Sequence, residues 1–338
     1  MLHTVHGSIQ HYDWGDTTAL PRLLQREPDG KPWAEMWFGT HPMAPAHIES
    51  DHGPLLSTLS GEMTMLVKLL ACASPLSLQT HPTKEQAERG FAHEESLGID
   101  RAAPTRMYRD RSDKPEMMIA LEPFEALCGF AAVATSVNLL RSMGWNNEAD
   151  HLERNGISSY LTWAFEQSVA PPFDHAPTWL QNVAAVYPND KGLRVAPLLH
   201  HIVLQPGEAI ALPAGNLHAY LRGTGLEIMK SSDNVVRAGF TSKHIDVGEL
   251  LAIVDTSELT EPVVRPTVDG SWLHYPSPTT AFSVSALDST RDVNIQAANG
   301  HRMIFGMFHD SPSMAFLPAG ESATVPAHKG IFWVCTQN

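Results

Sequence analysis

Short apolar runs separated by turn residues make up most of both ends of the chain. Stretches rich in Val, Ile, Leu and Phe alternate with the 25 prolines and 23 glycines of the 338 residues. This spacing is typical of a barrel or sandwich of short strands. Residues 117–130 have the same strand-like character. The hydrophobic pattern therefore predicts a mainly β protein.

The pattern becomes helical in the middle of the chain. Thr83 and Gln86 have the spacing of a capping box, and Gly98 is a stop signal for the helix that the box opens. Further helix signals follow, and they interrupt the strand-like stretches. We therefore expect a helix near residues 83–98 and an inserted helical domain at residues 131–195.

The length of the chain indicates more than one domain, each able to bury its own core. Because the helical stretch lies inside a β-rich one, we assign residues 1–130 together with 196–255 to one β domain, which the ligands and the resemblance described below make the catalytic, metal-binding one. Residues 256–338 form a second, C-terminal β domain in this interpretation, without metal ligands.

A short internal repeat indicates that the β unit is duplicated. A glycine and a proline six positions apart occur as Gly207 with Pro213 and again as Gly320 with Pro326. His218 follows five residues after the first proline, whereas the second copy has an isoleucine at the corresponding place. Only the first unit can use that histidine as a ligand.

The composition limits which binding partners and which cellular compartment we expect for this protein. A net charge of −14 disfavours nucleic acid and anionic membranes, which both reward a basic surface. No apolar run approaches the ~18 residues that span a membrane, and the first residues lack a secretory signal pattern. Cys72, Cys128 and Cys335 form neither an even framework nor a Cys-x-x-Cys pair, which fits a reducing compartment. We expect a cytoplasmic monomer with no nucleic-acid or membrane partner.

Four residues are candidate metal ligands. Gln79 and His81 lie two positions apart in a strand-like segment, so their side chains point to one face. Glu116 follows a proline in an extended segment, where it shares a face with Lys114. His218 ends a Gly-Pro-Gly-His turn sequence.

Each of these candidate ligands, and each basic or aromatic residue that could contact a substrate, also has a simpler structural explanation. One of 18 histidines is more often a surface or hydrogen-bonded residue, and glutamine is an unusual zinc ligand. Glu116 can pair with Lys114, and basic residues such as Arg237 and Lys243 are usually solvated. A tryptophan such as Trp14 more often packs in a core or between domains than stacks on a sugar.

Longer sequence blocks resemble a known family. The spacing Gly-x5-Pro-x-Gly-x2-His at residues 207–218 resembles the second motif of cupin barrels. The larger pattern resembles the type I mannose-6-phosphate isomerases (phosphomannose isomerases) of the cupin superfamily. The resemblance runs through most of the chain, except the helical insert and the weakly matched tail. It rests on residues 12–15, 33–42, 67–68 with 76–82, 114–116 with 124–130, and 232–239.

The resemblance implies a fold, a cofactor and a reaction. The implied fold is mainly β with an α insertion: two cupin (jelly-roll) barrels plus the inserted helical domain, with metal in the first barrel only. The implied cofactor is one Zn²⁺ per chain, although the donor set also accepts manganese or cobalt. The implied reaction interconverts mannose 6-phosphate and fructose 6-phosphate by proton transfer between C1 and C2 through an enediol(ate), so the partner is a phosphorylated hexose.

The resemblance also assigns site residues. The implied metal ligands are Gln79, His81, Glu116 and His218. The implied catalytic residues are Arg237, Lys114, Glu227 and Lys68, and the implied substrate-binding residues are Ser77, Lys243, Trp14 and Glu35. We favour Lys114 and Glu227 for proton transfer or sugar orientation, because a lysine in a cleft can have its pKa lowered towards neutrality.

One departure from the family pattern keeps other functions open. Asp113 stands where the family usually has histidine, so Asp113 or another group such as His41 must take over any role of that histidine. One alternative is a non-catalytic or differently specific metal cupin that binds a sugar. A second is an iron cupin oxygenase, against which the replacement of a His-x-His histidine by Gln79 argues.

Overall fold

The strands account for most of the regular structure. The computed structural model describes residues 1–288, 291–308, 311–327 and 330–338. Within these residues the strands are β1 (His3–His6), β2 (Ser8–Gln10), β3 (Glu35–Phe38), β4 (His47–Ile48), β5 (Met65–Cys72), β6 (Leu78–Thr80), β7 (Glu116–Ala120), β8 (Phe124–Phe130), β9 (Leu199–Leu204), β10 (Ala209–Leu212), β11 (His218–Lys230), β12 (Val236–Gly239), β13 (Val263–Val264), β14 (Thr267–Asp269), β15 (Trp272–Tyr275), β16 (Phe282–Asp288), β17 (Val293–Ile295), β18 (Arg302–Phe308), β19 (Ser311–Leu317), β20 (Ala323–Val325) and β21 (Ile331–Gln337). The prediction of a mainly β chain is confirmed.

Four of the eight helices in the described residues lie between β8 and β9. They are α1 (Ala19–Leu23), α2 (Ser57–Ser60), α3 (Lys84–Ser96), α4 (Val133–Ser142), α5 (Asn146–Glu166), α6 (Thr178–Val186), α7 (Gly192–Val195) and α8 (Val247–Ile253), with a 3₁₀ turn at Ala196–Leu198. The capping box of α3 is present: the Thr83 hydroxyl accepts from the Gln86 amide, and the Gln86 side chain accepts from the Thr83 amide. In the described residues, none of these helices is long and apolar enough to cross a membrane.

The larger sheet has eleven strands and is organised around β11. Its main order is β13-β10-β7-β11-β5-β3-β2, and β6, β8, β9 and β12 join it through the first half of β11. Residues 223–230 of β11 pair with β5, and residues 218–222 pair with β6 and β8. One long strand therefore pairs with two different groups of strands.

The smaller sheet has eight strands in the order β14-β15-β16-β21-β18-β19-β1-β4, and β17 pairs with β20 in a separate ribbon. The N-terminal strand β1 pairs with β19, so His3 lies opposite Phe316. The two faces that meet between the sheets bury a shared core, which includes Val67 and Ile228 of the larger sheet and Trp333 of the smaller. Among the described pairings, neither large sheet closes on itself.

The central strand β5 is buried along its whole length. It reads as a nearly continuous apolar run, which is typical of a strand covered on both faces. Full burial of a side chain such as Leu69 stabilises the fold by about 1.5–3 kcal/mol. Lys68 is the exception in this strand, because its ammonium group is buried and must find charged partners there.

Candidate active site

Strand pairing brings the candidate ligands together from distant parts of the sequence. His218 opens β11 directly opposite Gln79 of β6, and Arg237 of β12 faces Gln79 from the other side. Glu116 opens β7, where it pairs with Leu212 and with Met229. His81 follows β6 by one residue. Three strand ends therefore meet at one point of the sheet.

His81, Glu116 and His218, which we call the ligand cluster, present three atoms to one another. The Nε2 atoms of His81 and His218 each lie 3.4 Å from Oε2 of Glu116. Ligand-capable atoms of the three residues all lie within 4.8 Å of one another. All three side chains are buried, and none of these three atoms has a hydrogen-bond partner among the described residues.

Backbone carbonyls fix the orientation of both imidazole rings. Nδ1 of His81 donates to the carbonyl of Asn234 at 2.7 Å, and Nδ1 of His218 donates to the carbonyl of Asn216 at 3.0 Å. A carbonyl oxygen only accepts, so Nδ1 carries the proton and Nε2 is left with a lone pair. This arrangement of the outer nitrogen is the usual one for histidines that bind a metal.

The ligand cluster fits a divalent cation. Two imidazole lone pairs and one carboxylate oxygen converge without a donor between them, and each unpaired buried acceptor costs about 1–3 kcal/mol. Burial and the charge of Lys114 lower the pKa of His81 to about 4, which keeps its ring neutral near pH 7. Burial opposes the charge of Glu116, but the nearby Lys114 ammonium holds the pKa of this carboxyl well below its usual value. The nitrogen and oxygen donor set suits zinc.

Gln79 lies beside the ligand cluster and is held by its neighbour. The side-chain carbonyl of Gln79 accepts a hydrogen bond from the Ser77 hydroxyl at 2.9 Å. Both residues are half-buried. The structure therefore brings Gln79 opposite His218, and its ligand role stays a prediction.

A second buried group, which we call the lysine cluster, comprises Lys68, Glu35, Glu227, Tyr220 and Trp37. Nζ of Lys68 lies 3.0 Å from Glu227 Oε2 and 3.6 Å from Glu35 Oε1. Glu227 Oε1 accepts from the Tyr220 hydroxyl at 2.9 Å, and Glu35 Oε2 accepts from Trp37 Nε1 at 2.6 Å. Each carboxylate is thus engaged at both oxygens.

The charge state of Lys68 differs from the expectation that a cleft lysine has a lowered pKa. Burial disfavours the ammonium, but Glu227 and Glu35 outweigh it and raise the pKa of Lys68 above its ordinary value. Lys68 is therefore held protonated by its two carboxylate partners. A sequence gives no access to this balance, because both partners reach Lys68 through strand pairing.

Lys114 and Asp113 are adjacent in sequence but face different partners. Nζ of Lys114 lies 2.8 Å from Glu116 Oε1, so the two side chains share one face as expected. The Asp113 carboxylate instead forms an ion pair with Lys230, and both side chains of this pair are partly exposed. Asp113 is thus paired with a cation at the edge of the site.

Arg109, which no sequence pattern singled out, lies close enough to Arg237 and Lys243 to act on both electrostatically. Burial and Arg109 lower the pKa of Arg237, and burial, Arg237 and Arg109 lower the pKa of Lys243. These three residues, the cationic cluster, therefore repel one another. The nearby Asp233 is engaged by His41, at 3.3 Å. Mutually repelling cations favour an anion.

Other outcomes are mixed. Trp14 packs against an apolar cluster and stacks on Tyr12 at 5.6 Å, so its sugar-binding role stays a prediction. Asp233 and Asn234 were recognised only as part of a sequence block, although both belong to the site. No local pattern marked Asn234, because its side chain bonds to backbone groups of residues 109–112, far away in the sequence.

The fold and the site define a mainly β protein with a buried cluster that fits a divalent cation, flanked by paired acid and base groups. A family model described as phosphomannose isomerase type I, catalytic domain, matches residues 2–133. The mannose-6-phosphate isomerase of Shigella flexneri is 32% identical to this chain over an alignment 368 residues long. The alignment covers 95% of this chain and 94% of that protein.

Solved structures give the same result. A crystal structure of a point mutant of phosphomannose isomerase from Salmonella typhimurium has a TM-score of 0.87 at 28% identity, covering 100% of this chain and 99% of that chain. A crystal structure of zinc-bound mannose 6-phosphate isomerase has a TM-score of 0.79 at 28% identity, with 100% and 99% coverage. The chain belongs to the type I phosphomannose isomerases, a family of enzymes.

Proposed function

We propose that this protein is a zinc-dependent aldose–ketose isomerase that interconverts mannose 6-phosphate and fructose 6-phosphate. The observation that carries the proposal is the ligand cluster, whose three buried acceptor atoms converge without a donor. Membership of the family and the similarity to a zinc-bound structure support the choice of zinc.

Four residues hold the metal in this proposal: Gln79, His81, Glu116 and His218. A bound zinc ion polarises carbonyl and hydroxyl oxygens of a sugar without changing its own oxidation state. The carbonyls of Asn234 and Asn216 keep both imidazole rings turned towards the site.

Proton transfer falls to the buried acid and base groups. Isomerisation removes a proton from C2 and delivers one to C1, and the oxygens on both carbons need a proton donor and acceptor nearby. In this proposal Lys114, which lies beside Glu116, takes the carbon-bound proton as a neutral amine and returns a proton to carbon as an ammonium. The Lys68–Glu227 pair holds one proton between two buried groups and exchanges it with a substrate oxygen. Glu35 keeps the Lys68 ammonium in place.

The cationic cluster binds the phosphate group in this proposal. Arg237 and Lys243 repel each other and Arg109, and a phosphate dianion relieves that repulsion. The planar guanidinium of Arg237 also suits charge that develops on an oxygen of the substrate during the reaction. Ser77 and Trp14 are proposed as further substrate contacts.

We carry the domain organisation forward as part of the proposal. Residues 1–130 with 196–255 form the catalytic cupin domain, residues 131–195 with α3 form the helical insertion, and residues 256–338 form a second cupin-like domain without metal. The pairing of β11 with two groups of strands supports a barrel-like arrangement around the site. A cytoplasmic, monomeric enzyme is also proposed, and the buried free thiols of the three cysteines suit a reducing compartment.

The test is conversion of fructose 6-phosphate to mannose 6-phosphate by zinc-loaded protein, before and after chelation. We expect activity that chelation abolishes, zinc restores and His218→Ala lacks. His93→Ala, which changes an exposed histidine of α3, is the matched control and should retain activity. Folded, zinc-loaded protein without this conversion would contradict the proposal and favour a sugar-binding protein or an enzyme of another sugar.

A further inference from the structure

Asn234 is a fully buried residue with 0% exposure that lies between the ligand cluster and the cationic cluster. It follows Ser232 and Asp233 in the segment that connects β11 with β12. Neither the metal site nor the phosphate subsite includes its side chain. Its contacts nevertheless reach both of them.

The side-chain amide of Asn234 fixes the backbone that carries Arg109. Nδ2 donates to the carbonyls of Asp110 at 3.0 Å and Ser112 at 2.7 Å. Oδ1 accepts from the amides of Arg109 at 2.8 Å and Asp110 at 3.2 Å. Two donors and two acceptor positions use the full capacity of the amide. The segment from residue 109 to residue 112 is therefore fixed at four points by one side chain.

The backbone carbonyl of the same residue fixes a metal ligand. It accepts the Nδ1 proton of His81 at 2.7 Å and so turns Nε2 towards Glu116. A second set of bonds strengthens the connection, because Asp110 accepts from the Ser232 hydroxyl and from the Asp233 amide, both at 2.9 Å. A shift of His81 therefore reaches the Arg109 segment through one residue and a few hydrogen bonds.

We propose that Asn234 is a positioning residue that couples metal binding to phosphate binding. Ordering of His81 by a metal fixes the Asn234 backbone, and the Asn234 amide passes that order to Arg109. The inference rests on the proposed roles of His81 and Arg109. Because such coupling is reciprocal, phosphate also increases the affinity for the metal by the same factor.

Asn216 is a matched control for Asn234. It is a buried asparagine whose backbone carbonyl accepts from His218, the other histidine of the ligand cluster, at 3.0 Å. Its side chain lies near Gly129 and Cys128 rather than the Arg109 segment. Substitution by alanine leaves the backbone carbonyl in place at both positions. It removes a side-chain amide that contacts residues 109–112 at position 234 but not at position 216.

The experiment is a calorimetric titration of the full chain with inorganic phosphate, in metal-free and stoichiometrically zinc-loaded form. In wild type and Asn216→Ala, we expect zinc to increase phosphate affinity about fivefold or more, within the usual range of coupling between sites. In Asn234→Ala, the zinc-dependent gain should fall at least about threefold. Direct attraction between zinc and phosphate is the same in all three proteins, so it does not produce this difference.

An equal zinc-dependent gain in all three proteins, or no gain in wild type, overturns the proposal. Hydrogen exchange on wild-type protein decides the matter where Asn234→Ala does not fold. At labelling times too short for exchange through global unfolding, zinc should slow exchange in a peptide covering residues 107–112 and leave an exposed reference peptide covering residues 267–271 unchanged. Unchanged exchange at residues 107–112 also overturns the proposal. Neither measurement needs turnover, so a failure of the isomerase assay leaves this test independent.

Discussion

The lysine cluster and the ligand cluster are two buried polar groups in the same sheet, and they differ in how completely they are satisfied. In the lysine cluster, one ammonium, two carboxylates, a hydroxyl and an indole N–H pair with one another. In the ligand cluster, three acceptor atoms face one another without a donor. The polar groups of the first cluster are all paired within the protein, whereas the acceptors of the second are suited to bind a cation.

The difference shows how buried charge identifies a site. A balanced buried network is common and fixes geometry, but it does not by itself indicate a ligand. An unbalanced one requires a partner from outside the chain. The two clusters therefore make opposite predictions, since the first should respond to loss of an internal partner and the second to loss of the metal.

The largest expected effect on stability is that of Lys68→Met. The change leaves Glu35 and Glu227 as buried carboxylates without their cation, which should lower the free energy of unfolding by about 3–5 kcal/mol. Urea unfolding measures this change. Lys31→Met, at an exposed position, is the control and should alter stability by less than about 0.5 kcal/mol. Equal effects of the two substitutions would show that the lysine cluster is not balanced as described.

Zinc should have the next largest effect, through the ligand cluster and not through the lysine cluster. Zinc at about 100 times its dissociation constant should add about 2.7 kcal/mol to the free energy of unfolding, because it binds the folded chain. The measurement is the unfolding midpoint of metal-free protein with and without zinc. His218→Ala should lose most of the gain, whereas Lys68→Met should retain it. A gain that survives in His218→Ala would assign the metal to a different site.

Tyr220→Phe should have the smallest effect. It removes only the hydroxyl that donates to Glu227, so about 1.5 kcal/mol of stability should be lost. Tyr12→Phe is the matched control, since Tyr12 is 38% exposed and should tolerate the change within about 0.5 kcal/mol. Chemical unfolding of both variants measures the difference. A larger loss from Tyr12→Phe would contradict the assignment of the Tyr220 hydroxyl to this network.

Local patterns in the sequence predicted local structure well. The capping box opened α3 at the expected residue, and the extended Lys114–Glu116 segment placed both side chains on one face. Helix α8 begins at Val247, because the Asp246 side chain accepts from the Glu249 amide and caps the first turn.

Long-range features were beyond local pattern. Glu116 meets His218 because β7 pairs with both β10 and β11, and no short segment encodes that pairing. The roles of Arg109 and Asn234 depend on the same kind of contact, between segments 124 or 125 residues apart. The family resemblance supplied what periodicity could not, but the raised pKa of Lys68 required the three-dimensional arrangement of its carboxylates.

The register shift in β11 changes which residues, odd-numbered or even-numbered, point to a given face of the strand. His218 and Tyr220 face the site from even positions, whereas Glu227, which bonds to Tyr220, faces it from an odd position. Strict alternation puts odd and even residues on opposite faces, so the register shift between Tyr220 and Arg222 is what reconciles them. Gly223 completes the shift with a φ of 126°, where an added Cβ would meet the Pro123 carbonyl at 2.5 Å. Through this single shift, one strand brings both His218 of the ligand cluster and Glu227 of the lysine cluster to the same side of the sheet.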